Sequence, residues 1–221
     1  MKKIYLRTTL FTIIVLSLLT SVSCNRPNIR DKVGKPNNNR QEELKLPLSP
    51  EQAQKLIEKQ AKNVILAIKS RKMDVLAKYV DPERGLRFSP YAFVHIGDKE
   101  DIVFSASQIK QFFSDRSKYV WGVYNGSGEP IEMTPEEYFN RFVYNVDFAT
   151  AKSISYNKIL GHGNVVENQF TVYPKSIIVE YYFPGFDPKY EGMDWQSLRL
   201  VFERSKGVWY LIGIIHNEWT I

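Results

Sequence analysis

The stretch Ser197–His216, SLRLVFERSKGVWYLIGIIH, decides the fold. In its first half Leu198, Leu200 and Phe202 alternate with Arg199, Val201 and Glu203. Successive side chains of a strand point to opposite faces. A period of two therefore reads as a strand with one face on a core and the other toward water. Ser205-Lys206-Gly207 interrupts the pattern as a short turn, and Val208–His216 resumes it, so the pair reads as an antiparallel hairpin.

Upstream, Ile177–Phe183, Val165–Tyr173 and Ile154–Leu160 read as further strands, and Tyr119–Tyr124 and Tyr91–Ile96 as shorter ones. NGSGEP, residues 125–130, is a loop by its Asn-Gly and Gly content. The helical signals lie mostly earlier. Ser49-Pro50-Glu51-Gln52 combines a cap, a first-turn proline and the third-position Gln of a capping box. Ala53, Leu56, Ile57, Ala61, Val64, Ile65 and Ile68 then recur at helical spacing to about Ser70. Asp74–Val80 reads as a second helix that stops ahead of Pro82. Ser105–Ser114 looks helical, and Thr134-Pro135-Glu136-Glu137 opens another helix to about Val143. Helices first and mostly antiparallel strands after them is an α+β order: N-terminal helices packed on a curved, mostly antiparallel sheet.

The chain begins with Lys2, Lys3 and Arg7, then the apolar run Leu10–Leu19, then the small residues Thr20, Ser21, Val22 and Ser23. This is the layout of a secretory signal peptide. The apolar run is shorter than the roughly 20 residues a spanning helix needs. The small residues lead into Cys24, the only cysteine of the sequence. The arrangement resembles the lipobox of bacterial lipoproteins. Ser23 fits its small position, while Ser21 stands where the box usually has Leu. The resemblance implies cleavage before Cys24, a diacylglycerol thioether on its sulfur and an acylated, palmitate-bearing amino terminus. Ordinary secretion and an uncleaved anchor are the alternatives. On this reading residues 1–23 are the signal peptide, 24–48 a flexible tether and 49–221 a single domain. That domain has no cysteine for a disulfide, a thiol nucleophile or a thiolate metal ligand.

The tether, with its Asn37-Asn38-Asn39 run and prolines, has too little apolar surface to offset its ordering entropy. It also explains the charge. The chain as a whole is +6. Three cations belong to the signal, and the tether carries six cations against three acids, so residues 49–221 are neutral. A neutral domain lacks the clustered cations that nucleic-acid binding needs. The basic tether suits either anionic lipid head groups or a soluble spacer.

The order of a long N-terminal helix, a short second helix and a final run of long strands resembles the NTF2-like (cystatin-like) fold. That resemblance implies a sheet curved into a cone around the helix, with a pocket that serves isomerases, dehydratases and non-catalytic binding modules alike. RFSPYAFV, WGVYNGSGEP and FPGFDPKYEGMDW also resemble segments of an uncharacterised family of bacterial envelope lipoproteins, and bring no activity with them.

Candidate chemistry is sparse. Of the three histidines, His162 lies between Gly161 and Gly163 and reads as a turn, whereas His95 and His216 end strands. There an imidazole can face a pocket mouth as a general base, or serve as a hydrogen-bonded rim residue. Phe183–Trp195 (FPGFDPKYEGMDW) is read as a rigid loop packed by Phe186, Tyr190 and Trp195, a candidate binding rim. Its Asp187, Glu191 and Asp194 could hold Ca²⁺, but the spacing is not an EF-hand and Lys189 sits among them. No zinc, P-loop or nucleophile-elbow pattern occurs, and no metal or cofactor is expected. The expected role is a lipid-anchored envelope protein that faces the periplasm or exterior. It would bind a small ligand, a glycan or another envelope protein. The alternative is an envelope enzyme of isomerase, dehydratase or hydrolase type, working by acid–base chemistry at His95 or His216.

Overall fold

The computed structural model describes residues 46–97 and 101–220. Cys24, the signal segment and the tether up to residue 45 lie outside the described residues. Among the described residues no helix is long and apolar enough to cross a membrane.

The expected capping box opens α1 (Pro50–Lys69). Ser49 Oγ accepts from the Gln52 backbone N–H at 3.3 Å, and Gln52 Oε1 accepts from that of Ser49 at 3.0 Å. The stripe Ala53, Ile57, Ala61, Val64, Ile65, Ile68 is buried. Each of its large aliphatic side chains contributes about 1.5–3 kcal/mol relative to exposure. After α2 (Met73–Leu76) come β1 (Leu86–Ser89), β2 (Val103–Phe104) and α3 (Ala106–Lys110). The ribbon β3 (Tyr119–Val123) and β4 (Pro130–Met133) follows, then α4 (Pro135–Tyr138), which runs on into a π-turn at Phe139–Val143. The rest is β5 (Ser153–Tyr156), α5 (Gln169–Val172), β6 (Ser176–Phe183), β7 (Gln196–Ser205) and β8 (Val208–Glu218).

The main sheet has the order β2-β1-β8-β7-β6-β5, with β3 and β4 forming a separate two-stranded sheet. Within the main sheet β1 and β8 run parallel and the remaining neighbours antiparallel, so the molecule is α+β with a mostly antiparallel sheet. The β7–β8 hairpin turns through Lys206 (φ 49°) and Gly207 (φ 86°), two successive left-handed residues as in a tight I′ turn. Leu198, Leu200 and Phe202 face α1, as the alternation requires. Val201 pairs with Gly213 but Phe202 pairs with Leu211, which leaves Ile212 as the extra residue of a bulge. The bulge lets Leu211 and Ile214 both join the α1 side while Ile212 and Ile215 face the other way.

Several expectations are corrected. The sheet has two buried faces, not one: Val201, Ile178, Ile215 and Ile212 form a second apolar cluster with Val94 and Tyr173 on the outer face. The residues that cover it are those read as the strands Tyr91–Ile96 and Val165–Tyr173, and neither is a strand. The first fails because β1 lies upstream and Pro90, which has no N–H for a ladder, ends it. The second fails because the Asn168 side chain bonds the backbone N–H (2.7 Å) and C=O (2.9 Å) of Val94 and tethers the two segments together. The Asn168 carbonyl then starts the single turn of α5. The strand expected over Ile154–Leu160 stops at Tyr156, since Asn157 turns left-handed (φ 49°) and its side chain binds Ile178 N–H and Leu48 C=O.

Candidate functional site

At the end of β8, the two-residue period sets Ile214, His216 and Glu218 on the α1 side. His216 is fully buried, so it is not at a pocket mouth; its ring packs on Phe142 at 5.7 Å. Its Nε2 lies 3.4 Å from Glu218 Oε2, without the alignment of a hydrogen bond. Glu218 also receives Arg141 on both oxygens and Gln196 Nε2 at 3.2 Å. Burial holds the His216 imidazole below its ordinary pKa, partly offset by the Glu218 carboxylate. Burial pushes Glu218 up, but His216 and Arg141 bring it down to about 2. Burial thus biases the imidazole toward its neutral form and places it behind the Arg141–Glu218 ion pair, which suits packing rather than proton exchange with a substrate. His95 is exposed, against Phe93 at a ring distance of 4.9 Å, and His162 is exposed in its loop.

The polar centre near His95 is Asp101, buried at 3% exposure. Its Oδ2 accepts from Ser89 Oγ at 2.5 Å and from the His95 N–H at 3.0 Å. Burial outweighs these bonds and raises its pKa to about 6. A carboxyl whose folded pKa lies above its unfolded value binds more protons when folded, so stability falls as pH rises from about 4 to 6. The full effect is about 3 kcal/mol. Asp101→Asn keeps an acceptor for both donors and is expected to flatten this slope. Urea titrations at pH 4.0 and 6.5 check it: an unchanged slope in the variant refutes the assignment.

The loop Phe183–Trp195 is only partly as expected. Trp195 is buried, whereas Phe186 and Tyr190 are 53% and 46% exposed and make surface contacts, Phe186 with the Phe183 ring at 5.3 Å and Tyr190 beneath Lys189 Nζ at 4.5 Å. Order comes from Asp194, whose Oδ2 accepts the N–H groups of Phe186 (3.0 Å) and Asp187 (2.8 Å), and from Asp187, which caps the turn Pro188–Tyr190 and pairs with Lys189 at 2.9 Å. Among the described residues no group of three His, Cys, Asp or Glu is placed to hold a metal. Trp195 instead packs toward Gly161, where an added Cβ would come within 2.7 Å of its ring; this is why the Gly161-His162-Gly163 loop needs its first glycine.

The outer face of the sheet holds what the sequence did not announce. Glu180 on β6 and Arg199 on β7 are cross-strand partners, both fully buried, joined by Nε–Oε1 at 3.1 Å. Arg199 Nη2 also donates to Gly161 C=O and Glu167 Oε1, each at 2.8 Å. Glu180 accepts from Ser197 Oγ (2.5 Å) and from the N–H groups of Leu160 and Gly161. Farther along the same face a cleft of about 490 Å³ opens between β1, the β8 bulge and α5. Its polar lining is Arg84, Arg87, Tyr173, Lys175 and Glu203. Arg84 is clamped by the buried Asp81 (Nε 3.1 Å, Nη2 3.0 Å) and by Glu203 (Nη1 2.6 Å). Burial pushes Asp81 up, but the Arg84 and Glu83 N–H groups and the guanidinium hold it below the usual carboxylate range. Arg87 Nη1 donates to the carbonyls of His95 (3.1 Å) and Asp101 (2.9 Å). A second cleft, of about 450 Å³ and mainly apolar, lies beside the first and shares Tyr173 and Pro174 with it.

No protein-family model matches the chain, and no curated protein matches it. Among solved structures it is similar to one from Xanthomonas campestris, described as a calcium/calmodulin dependent protein kinase II association domain. The identity is 16%, the TM-score 0.31, and the match covers 79% of this chain and 92% of that one. At that TM-score the likeness carries no argument about function.

Proposed function

We propose that this protein is a lipid-anchored component of the bacterial cell envelope, and that its domain is an NTF2-like cone used for binding rather than catalysis. The observation that carries the binding reading is the filling of the α1 side of the sheet. Phe88, Phe112, Trp121, Tyr138, Phe142 and Phe148 are all buried there, and the void beside Phe88 and Ile214 measures about 10 Å³. That is at the lower limit for one water. Among the described residues, clefts of about 490 and 450 Å³ adjoin Tyr173 and Pro174 instead, and one of about 230 Å³ lies on the candidate loop against Phe186 and Asp187. Against the acid–base alternative stands the full burial of His216, whose ring no cleft reaches among the described residues.

The anchor rests on the basic start, the apolar run and Cys24. One acyl chain binds a membrane only marginally, and stable attachment takes more than one. A triacylated Cys24 meets that condition. Cys24→Ala is expected to abolish acylation and release the protein from membranes, read by acyl labelling and by fractionation at high salt. Continued acylation of the variant overturns the anchor.

A further inference from the structure

We propose that the outer-face cleft between β1, the β8 bulge and α5 binds a small amphipathic anion: a carboxylate or phosphate ester on an apolar body. The proposal rests on the binding reading above and names the ligand class of that surface. At about 490 Å³ the cleft has the size of a small-molecule site. Its lining divides by chemistry. Val172, Pro174 and Ile212 give it an apolar side, while three cations and a single carboxylate give it a positive one.

Two features fit an anionic head group. Arg84 is held in place by Asp81 and Glu203, which together use three of its five N–H donors, so each terminal nitrogen keeps one N–H. Such a pre-oriented guanidinium suits a carboxylate or phosphate. Glu203 does not compete for the ligand, because its oxygens are taken by Arg84 and by Ser176 Oγ (3.1 Å). The second feature is Tyr173, only 8% exposed, whose hydroxyl has no hydrogen-bond partner. Burial pushes the Tyr173 hydroxyl above its ordinary pKa, and the nearby Arg87 guanidinium pulls it the other way. A buried hydroxyl left unpaired opposes folding. An acceptor oxygen in the cleft would satisfy it. Lys175, exposed at the rim, adds a mobile cation.

The test titrates the full chain, in mild detergent, with phenyl phosphate and with benzoate, using benzyl alcohol as the uncharged control and ligand-detected NMR as the readout. The expected result is a Kd below about 1 mM for the anions and binding at least tenfold weaker for the alcohol. Lys175→Met and Tyr173→Phe should each weaken anion binding about fivefold or more. Tyr173→Phe should at the same time raise the melting temperature of the ligand-free protein, since it removes the unpaired hydroxyl without a cavity. Arg84 is left intact because its loss would strand the buried Asp81. Equal binding of alcohol and anions would overturn the anion assignment while leaving the binding reading in place. Anion affinity unchanged in both variants would place the site elsewhere and overturn the proposal, as would no binding of either anion.

Discussion

Arg199→Met is expected to destabilise the domain by about 3–5 kcal/mol, and Arg199→Met combined with Glu180→Gln to recover more than half of that loss. Both partners of the pair are fully buried. Removing the guanidinium leaves a carboxylate with no counter-charge at zero exposure, and the Gly161 carbonyl loses its donor. A desolvated charge without a partner is among the most costly defects a folded protein can carry. Glu180→Gln removes that charge and keeps one acceptor oxygen, which in the Oε1 position still serves Ser197 Oγ and the Gly161 N–H, while the Leu160 N–H loses its acceptor; the recovery is therefore partial. Urea denaturation of the two single variants and the double variant gives the coupling directly. A single-variant loss below about 1 kcal/mol, or a double variant no better than Arg199→Met, would show that the pair does not hold the cover in place.

Arg199 also shows where sequence reading reached and where it stopped. The alternation in SLRLVFE placed Leu198, Leu200 and Phe202 on the α1 side correctly, because a strand's period of two is set by its backbone. The same alternation assigned Arg199 to water, since a charged side chain on the far face of a strand is normally solvated. A signal against that was present in SIIVEYYF, residues 176–183: Ile177, Ile178 and Val179 are consecutive, and a run of apolar residues without alternation marks a strand buried on both sides. The cover itself was read as strands because Val165, Val166, Phe170 and Val172 are β-formers, and nothing local reports that Asn168 is clamped to Val94. The capping boxes at Ser49, Ser105 and Thr134 are local chemistry; each was readable or part of a readable helix, and each forms. The cleft was not legible. Its residues come from separate segments, and its central pair, Arg84 and Glu203, lies 119 residues apart. His216 was legible as a strand residue but not as a buried one, because burial there depends on Phe142 and Arg141 arriving from the π-turn.

Trp121→Ala is expected to cost about 3–5 kcal/mol, a large share of the roughly 5–15 kcal/mol that a domain has to lose. Trp121 is 1% exposed and stacks on Tyr138 with ring centroids 3.8 Å apart at 13°. Phe88 meets it edge-on at 5.9 Å, Phe104 lies at 5.6 Å, and its Nε1–H donates to the Met133 carbonyl at 2.9 Å. The substitution therefore removes a large apolar body, the ring contacts and a donor at once, in surroundings too closely packed to collapse into the gap. It also joins β3 to the main core, so the ribbon β3–β4 should loosen first, visible as faster amide exchange at Val120 and Glu132, which pair across it. The size of the loss bears on function. A side chain that fills a core is needed for the fold, whereas one that lines a space kept for a substrate can be shortened cheaply. Denaturation of Trp121→Ala separates these. A loss near 4 kcal/mol fits a closed interior and directs ligand searches to the outer face. A loss under about 1 kcal/mol, with the variant still folded, would mean that the aromatic side of the sheet tolerates a cavity, and would return acid–base chemistry near His216 to consideration.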